Sequence, residues 1–339
     1  MASLSPAAHA ARIALSDAAR ASGVRIENLP TLLAAGDPVL RAKLGSAFAP
    51  DERPVPGSIG TYVEIPEGVE LDEPIVIEYR VDDAELVPYT LVAALRGSRA
   101  TIVERISGGA AGHTVRITSE VLAGERADLT YAALQLTGDG VQIDARRRSN
   151  ADAGATVRWC LALLGGAAMT DELILNLSER GASGEIAALF FPIAKQSVEL
   201  TTTTRHDAPA TTSNTVVRSI AAGHGRGRFF GNIRIAPHAH GSDASLRDDA
   251  LLFGQDARID AIPALEIAAN DVKAFHGATV GAIDDEHIFY VMSRGIDRVS
   301  AEKLIALGFF EPALARFPGE ALREELRGLL EAKLAGARA

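Results

Sequence analysis

A parallel β-helix between two helical ends is the architecture expected of this chain, on three grounds. Segments of strand period recur from about residue 60 onward with no long helical stretch between them, which argues against a doubly wound α/β fold. A turn glycine followed by small or polar residues and then a strand recurs at Gly97, Gly124, Gly154, Gly184, Gly227 and Gly254, with spacings of 27, 30, 30, 43 and 27 residues. A period of about 20–50 residues marks a solenoid or propeller, whereas the rival, a β-sandwich, turns every 8–12 residues or so. Finally, the 339 residues are 47% apolar but hold only 11 Phe, 5 Tyr and 1 Trp, beside 31 glycines. A large core must then be built from Ala, Val, Leu and Ile, which suits thin coils stacked at about 4.8 Å. The length alone would have favoured about two domains.

Residues 1–55 read as an N-terminal helical region. Ala11, Ile13, Leu15, Leu29, Leu32, Leu33, Leu40 and Leu44 follow helical spacing, and Gly23, Pro30 and Pro38 divide them into short helices. Pro50 to Gly57 reads as a linker. Residues 56–283 form the expected β-helix core, with strand patterns at 74–81, 101–106, 114–117, 129–134, 173–177, 198–204 and 231–235. The two ends of such a stack carry unpaired strand edges, which must be capped or used for pairing. Residues 284–339 read as a C-terminal helical region. Asp284 and Asp285 open a helix that Gly295 ends. Ser300 is expected to cap a second helix closed by Gly308, and Pro312 and Pro318-Gly319 start further helices toward Leu334.

Composition narrows the function. With 34 basic and 44 acidic residues the formal charge is −10, so no basic surface for nucleic acid is expected. The run Arg146-Arg147-Arg148 is a local exception, read as a solvated strand edge or turn. A single cysteine, Cys160, excludes an intramolecular disulfide and any CxxC site. Its apolar neighbours make it a buried structural residue, and one thiol cannot supply the four thiolates that commonly hold an iron–sulfur cluster. No apolar stretch reaches the roughly 18–20 residues of a membrane span, and Met1 to Arg20 lacks the charged and apolar regions of a secretory signal. The expectation is a soluble cytoplasmic chain with no membrane partner.

Most local motifs have a structural explanation. Gly223 to Arg228 lacks both the P-loop and the dinucleotide spacing and reads as a turn. His238 and His240 would share one face of a strand, but Pro237 and Gly241 place them in a loop, so no metal site is expected there or at His206-Asp207. Ser300-Ala301-Glu302-Lys303 matches SxxK without the companion motifs of acyl-transfer enzymes. Asp243, Asp248, Asp249, Asp256 and Asp260 form an acidic cluster in the late coils. Paired carboxylates on a β-helix can cleave sugars; the simpler reading is solvated turns.

One segment is far more specific. It comprises Pro263-Ala264-Leu265-Glu266-Ile267, Asp271-Val272, His276-Gly277-Ala278-Thr279-Val280-Gly281, Ile283-Asp284-Asp285-Glu286, Phe289-Tyr290 and Ser293-Arg294-Gly295-Ile296. This pattern resembles the C-terminal signature of the SufB/SufD family of iron–sulfur cluster assembly scaffolds, and the stretch from His276 to Gly281 is similar to SufD rather than SufB. The resemblance implies a right-handed parallel β-helix between helical terminal regions. It also implies a non-catalytic scaffold that pairs with a SufB-like subunit through the β-helix and docks a SufC-like ATPase on its C-terminal helices. By the same resemblance, no cofactor is tightly bound by the chain alone, and an iron–sulfur cluster is held transiently by the complex. His276 matches the family's interface histidine, and imidazole can ligate iron. Ala274 and Phe275 stand where relatives often carry Cys and Ser, so sulfur ligands would come from a partner. Tyr290, Arg294 and Gly295 match the helix–turn before the last helices. With Leu304, Ile305, Phe309 and Phe310 they form the expected ATPase-docking surface, the alternative being that these residues cap the β-helix. Two rival readings remain at this point: a β-helix carbohydrate-active enzyme using the late aspartates, and a stand-alone homodimer paired through the same edge.

Overall fold

Small aliphatic residues at every second position give each strand one face that can stack on the identical face of the next coil. In the computed structural model, which describes residues 11–337, this stacking builds a parallel β-solenoid of about eight turns followed by C-terminal helices. The N-terminal segment contains β1 (Arg12–Ala14), α1 (Asp17–Ala21), β2 (Arg25–Asn28), α2 (Leu29–Ala35) and α3 (Pro38–Lys43). The coils begin with β3 (Ile59–Ile65), β4 (Ile75–Val81), β5 (Glu85–Leu86), β6 (Pro88–Ala94), β7 (Arg99–Gly108) and β8 (Thr114–Ala123). They continue through β9 (Asp128–Thr137), β10 (Gln142–Ala151), β11 (Thr156–Leu163), β12 (Ala168–Leu177), β13 (Ser183–Phe190) and β14 (Ser197–His206). They end with β15 (Thr212–Ala222), β16 (Arg226–Ile235), β17 (Asp243–Phe253), β18 (Arg258–Ile267) and β19 (Lys273–Ala282), before α4 (Asp285–Met292), α5 (Arg298–Leu314) and α6 (Glu320–Gly336).

Alternate strands form two facing sheets. The first runs β1-β4-β7-β9-β11-β13-β15-β17-β19, and the second runs from β18 through the even-numbered strands and β3 to β2. Equivalent residues stack in register, as in the inward column Ile102, Tyr131, Trp159 and Ile186 of the first sheet. Successive strands of that sheet from β7 to β19 start 27–31 residues apart. The irregular spacing of the glycine repeat has a physical reason: Gly184 and Gly227 are strand residues, not turns. A Cβ at Gly184 would lie 2.4 Å from Leu175 Cδ2, and one at Gly227 would lie 2.8 Å from a Phe190 ring carbon. Both glycines make room for large neighbours inside the coil.

The N-terminal region is only partly helical. Ile13, counted at helical spacing, lies in β1, which pairs antiparallel with β4, while β2 pairs antiparallel with β3. These two short strands satisfy the exposed edges of the first coil, a tertiary demand that overrides local periodicity. Residues 1–10 lie outside the described region, so the expectations for the start of the chain do not reach the structure. The segment after α3 is fastened to the outer face of the second sheet. Buried Glu120 accepts the Gly45 and Ala47 backbone N–H groups at 2.7 and 2.8 Å and the Tyr89 hydroxyl at 2.7 Å. The Arg148 guanidinium lies over the Phe48 ring at 5.1 Å.

The helices α5 and α6 cover the outer face of the first sheet. Here the expected breaks moved. Asp297, not Ser300, caps α5: its carboxylate accepts the Ser300 N–H at 3.0 Å and the Ser300 hydroxyl at 2.7 Å. The helix then runs through Gly308 and Pro312 to Leu314. Burial of Ala306, Phe310 and Leu314 against Cys160, Ala187, Leu189 and Phe191 outweighs the helix-breaking tendency of both residues. Gly319 precedes α6, whose Leu322, Leu326, Leu330 and Leu334 complete the same cluster.

Candidate functional site

The two ends of the solenoid differ. The first coil is closed by β1 and β2, whereas β18 and β19 are terminal strands of their sheets, each with one neighbour among the described strands. Their surface carries four exposed large apolar side chains, Ile262, Ile267, Phe275 and Val280. An unpaired, hydrophobic strand edge is the feature that natural sheets usually blunt unless it is used.

His276 stands at this open end. It continues the inward column of the first sheet, in register with Leu246 of β17, which in turn sits over Thr215 of β15. Its Nδ1 is shielded from solvent and has no hydrogen-bond partner. One strand deeper, Asp248 of β17 also points inward, between Val217 and Ala278 in register. Asp248 is 0% exposed and neither carboxylate oxygen has a partner. Burial, with a smaller contribution from neighbouring Asp249, pushes its carboxyl up to about 7.

The acidic cluster was therefore not uniformly solvated turns. Asp243, Asp256 and Asp260 do reach the surface, Asp260 paired with Arg258 at 2.9 Å. Asp249 faces outward and pairs with Arg218 at 2.7 Å, while Asp248 is enclosed. Adjacent strand residues point to opposite faces, so Asp248 and Asp249 cannot flank one glycosidic bond. Those two residues therefore do not make a carboxylate pair of that kind.

The arginine run departs from expectation in the same way. Arg146 is exposed, but Arg147 is wholly buried inside the solenoid, and Arg148 is buried on its outer side. Arg147 Nε donates to Asp171 at 3.0 Å, and its Nη1 donates to Glu104 at 3.1 Å and to Ser119 at 2.8 Å. Glu104 also accepts the hydroxyls of Thr90 at 2.7 Å and Tyr131 at 2.8 Å. Tyr79 extends the chain, its hydroxyl 2.9 Å from Thr61 and 3.0 Å from Thr90. Burial and the Glu104 charge raise the Asp171 carboxyl above the usual range, against the pull of Arg147. This network is structural, because no part of it reaches the surface.

The expected docking residues separate into two groups. Tyr290 is 60% exposed on α4, and its hydroxyl accepts from Arg294 Nη2 at 2.9 Å; Leu304 is 56% exposed on α5. Gly295 occupies the left-handed turn between those helices, at φ 85°. Ile305 and Phe309 are half-buried, Phe309 beneath the Arg218 guanidinium. Phe310 is 1% exposed and packs 6.1 Å from the Phe191 ring, so it belongs to the core and leaves the docking set. Phe289, 72% exposed, and Val299 join the exposed group instead. The signal for Phe289 was the apolar Ile288-Phe289-Tyr290 triplet, in which only Ile288 turns inward.

The remaining motifs have structural roles. Cys160 is buried beneath the turn between α5 and α6, its Sγ 3.3 Å from the Arg316 carbonyl, and burial pushes the thiol up to about 12. His206 is a core histidine held by Thr211 and Ser213, and burial lowers it to about 4. His238 contacts the Asp207 carbonyl at 2.7 Å. Among the described residues no group of three His, Cys, Asp or Glu side chains is placed to hold a metal ion, and no helix is long and apolar enough to cross a membrane.

Comparison with known proteins agrees with this geometry. Residues 78–309 match the family model described as SUF system FeS cluster assembly, SufBD core domain. The chain is 28% identical over 280 residues to the iron–sulfur cluster assembly protein SufD of Bacillus subtilis, covering 81% of this chain and 64% of that protein. It is 34% identical over 174 residues to SufD of Escherichia coli, covering 51% of this chain and 41% of that protein. A SufBD family protein of Mycobacterium leprae is 28% identical over 283 residues, which are 82% of this chain but 32% of the relative. The chain thus spans about a third of that mycobacterial relative and under two thirds of both SufD proteins. With the core-domain match covering most of its length and the solenoid to accompany it, the chain belongs to the SufBD family of iron–sulfur cluster assembly proteins.

Proposed function

We propose that the chain is a SufD-like, non-catalytic scaffold subunit for iron–sulfur cluster assembly in the cytoplasm. It pairs with a SufB-like subunit through the open edge of β18 and β19, and it docks a SufC-like ATPase on α4 and the first turns of α5. The observation that carries the reading is the asymmetry of the solenoid: the first coil is capped by β1 and β2, and the last coil presents an unpaired apolar edge. Strand addition at such an edge gives affinity through main-chain hydrogen bonds. Phe289, Tyr290, Val299 and Leu304 provide the exposed apolar surface for the ATPase. His276 meets iron as the substrate of assembly at the covered end, and thiolate ligands come from the partner because this chain's one thiol is buried elsewhere.

Co-expression with the SufB-like and SufC-like proteins of the same organism tests this reading. The expected result is a ternary complex on size-exclusion chromatography with light scattering. Val280→Glu, which puts a charge on the edge, is expected to lose the SufB-like subunit and keep the ATPase. Failure of the unmodified chain to co-purify with either protein overturns the reading. A stable dimer of the chain that excludes the SufB-like protein would favour the homodimer.

A further inference from the structure

Two polar side chains at the open end have no partner, and they lie on the same inward face. Asp248 is fully enclosed with both oxygens unsatisfied, and His276 has an unsatisfied, shielded Nδ1. Buried polar groups are nearly always hydrogen-bonded, so an orphan pair on one face is a place where an ion or water can be held. The register puts His276 beside Leu246 and Asp248 beside Ala278, so the two are diagonal neighbours on adjacent strands. With a rise of about 3.3 Å per residue and strands about 4.8 Å apart, their Cα atoms are about 8 Å apart, a span that one ion can bridge between carboxylate and imidazole. In register, the residue stacked on Asp248 from the last coil is the small Ala278 of β19.

Asp248 also has no ion-pair partner among the described residues. The nearby cation, Arg218, lies on the outer face and is engaged by Asp249 at 2.7 Å. Elsewhere in the interior the acidic groups Glu104 and Asp171 are each paired with Arg147. The late coils contain the acid without the base.

We infer that Asp248 and His276 together form the oxygen–nitrogen half of a divalent-cation site, of the ferrous iron class, at the open end of the solenoid. Carboxylate and imidazole suit that class of ion, and the remaining coordination positions are left to water or to whatever covers the end. The inference rests on the proposed role of His276 and adds Asp248 as a second ligand from this chain. Binding displaces any proton from the Asp248 carboxyl and changes no oxidation state.

The test is titration of cobalt(II) alone into the purified full chain, followed by its d–d absorption and by the melting temperature. The wild-type chain is expected to show saturable binding and a cobalt-dependent rise in melting temperature. Asp248→Asn, which keeps the shape and removes the charge, is expected to weaken binding at least tenfold and abolish the rise, and His276→Ala to weaken binding comparably. Wild-type affinity in Asp248→Asn overturns the inference; if His276→Ala alone loses binding, the histidine's role stands without it. Absence of saturable binding by the wild-type chain also overturns it. Co-purification with the partner proteins is independent of both results, so failure of the assembly reading would be seen separately.

Discussion

Arg147→Met is expected to destabilise the chain by about 3–5 kcal/mol, because it leaves Glu104 and Asp171 buried without their cation. Both carboxylates are wholly enclosed, and Arg147 is the one basic group bound to either of them among the described residues. Coulombic attraction in the interior offsets the desolvation of all three groups only while the set is complete. The triple change Glu104→Gln, Arg147→Met and Asp171→Asn should recover most of the loss, since no uncompensated charge remains. Urea unfolding with unchanged m-value is the measurement. A loss below about 1 kcal/mol for Arg147→Met would contradict a structural role for the network.

Asp248→Asn is expected to act in the opposite direction, and only above mildly acidic pH. Burial raises the Asp248 carboxyl in the folded chain from its usual 3.8 to about 7. A raised folded value means that the folded state holds a proton the unfolded chain releases. The stability associated with that proton is complete below about pH 4, declines as pH rises, and is lost above about pH 7. The shift corresponds to about 4 kcal/mol at about 1.4 kcal/mol per unit. Asparagine removes this dependence, so the variant should match the wild-type chain near pH 4 and exceed it by up to about 4 kcal/mol near pH 8. Thermal unfolding without divalent cations across that range checks the sign. A constant difference at all pH values would show that Asp248 is not enclosed in solution.

The regular parts of the fold were legible because each coil repeats a local pattern. The expected strands at 101–106, 129–134 and 198–204 lie inside β7, β9 and β14, and the scarcity of aromatics reflects columns such as Val115, Ile143, Met169 and Val198. Features set by distant parts of the chain were not legible. The strands β1 and β2 exist because the first coil needs edges satisfied, and α5 passes Gly308 and Pro312 because its inner face is clamped to the sheet. The arginine run looked solvated because the carboxylates that hold Arg147 lie 43 residues before it and 24 residues after it.

The candidate site divides the same way. The motif drew attention to His276, and the structure places it at the open end; Tyr290 and Leu304 lie exposed on α4 and α5. Phe310 was placed in the docking set because an adjacent aromatic pair gives no sign of which ring turns inward, and α5 turns that one under itself. Asp248 and Asp249 look equivalent in sequence, yet strand alternation sends one into the interior and the other to Arg218.

The open edge of β18 and β19 is the proposed pairing surface. Hydrogen–deuterium exchange of the chain alone and in the co-purified complex with its SufB-like partner tests it most directly. Amides of Arg258–Ile267 and Lys273–Ala282 should gain protection on complex formation, with little change at the capped strands β1 and β2. A complex that forms while those edge amides exchange at the rate of the free chain would contradict the claim.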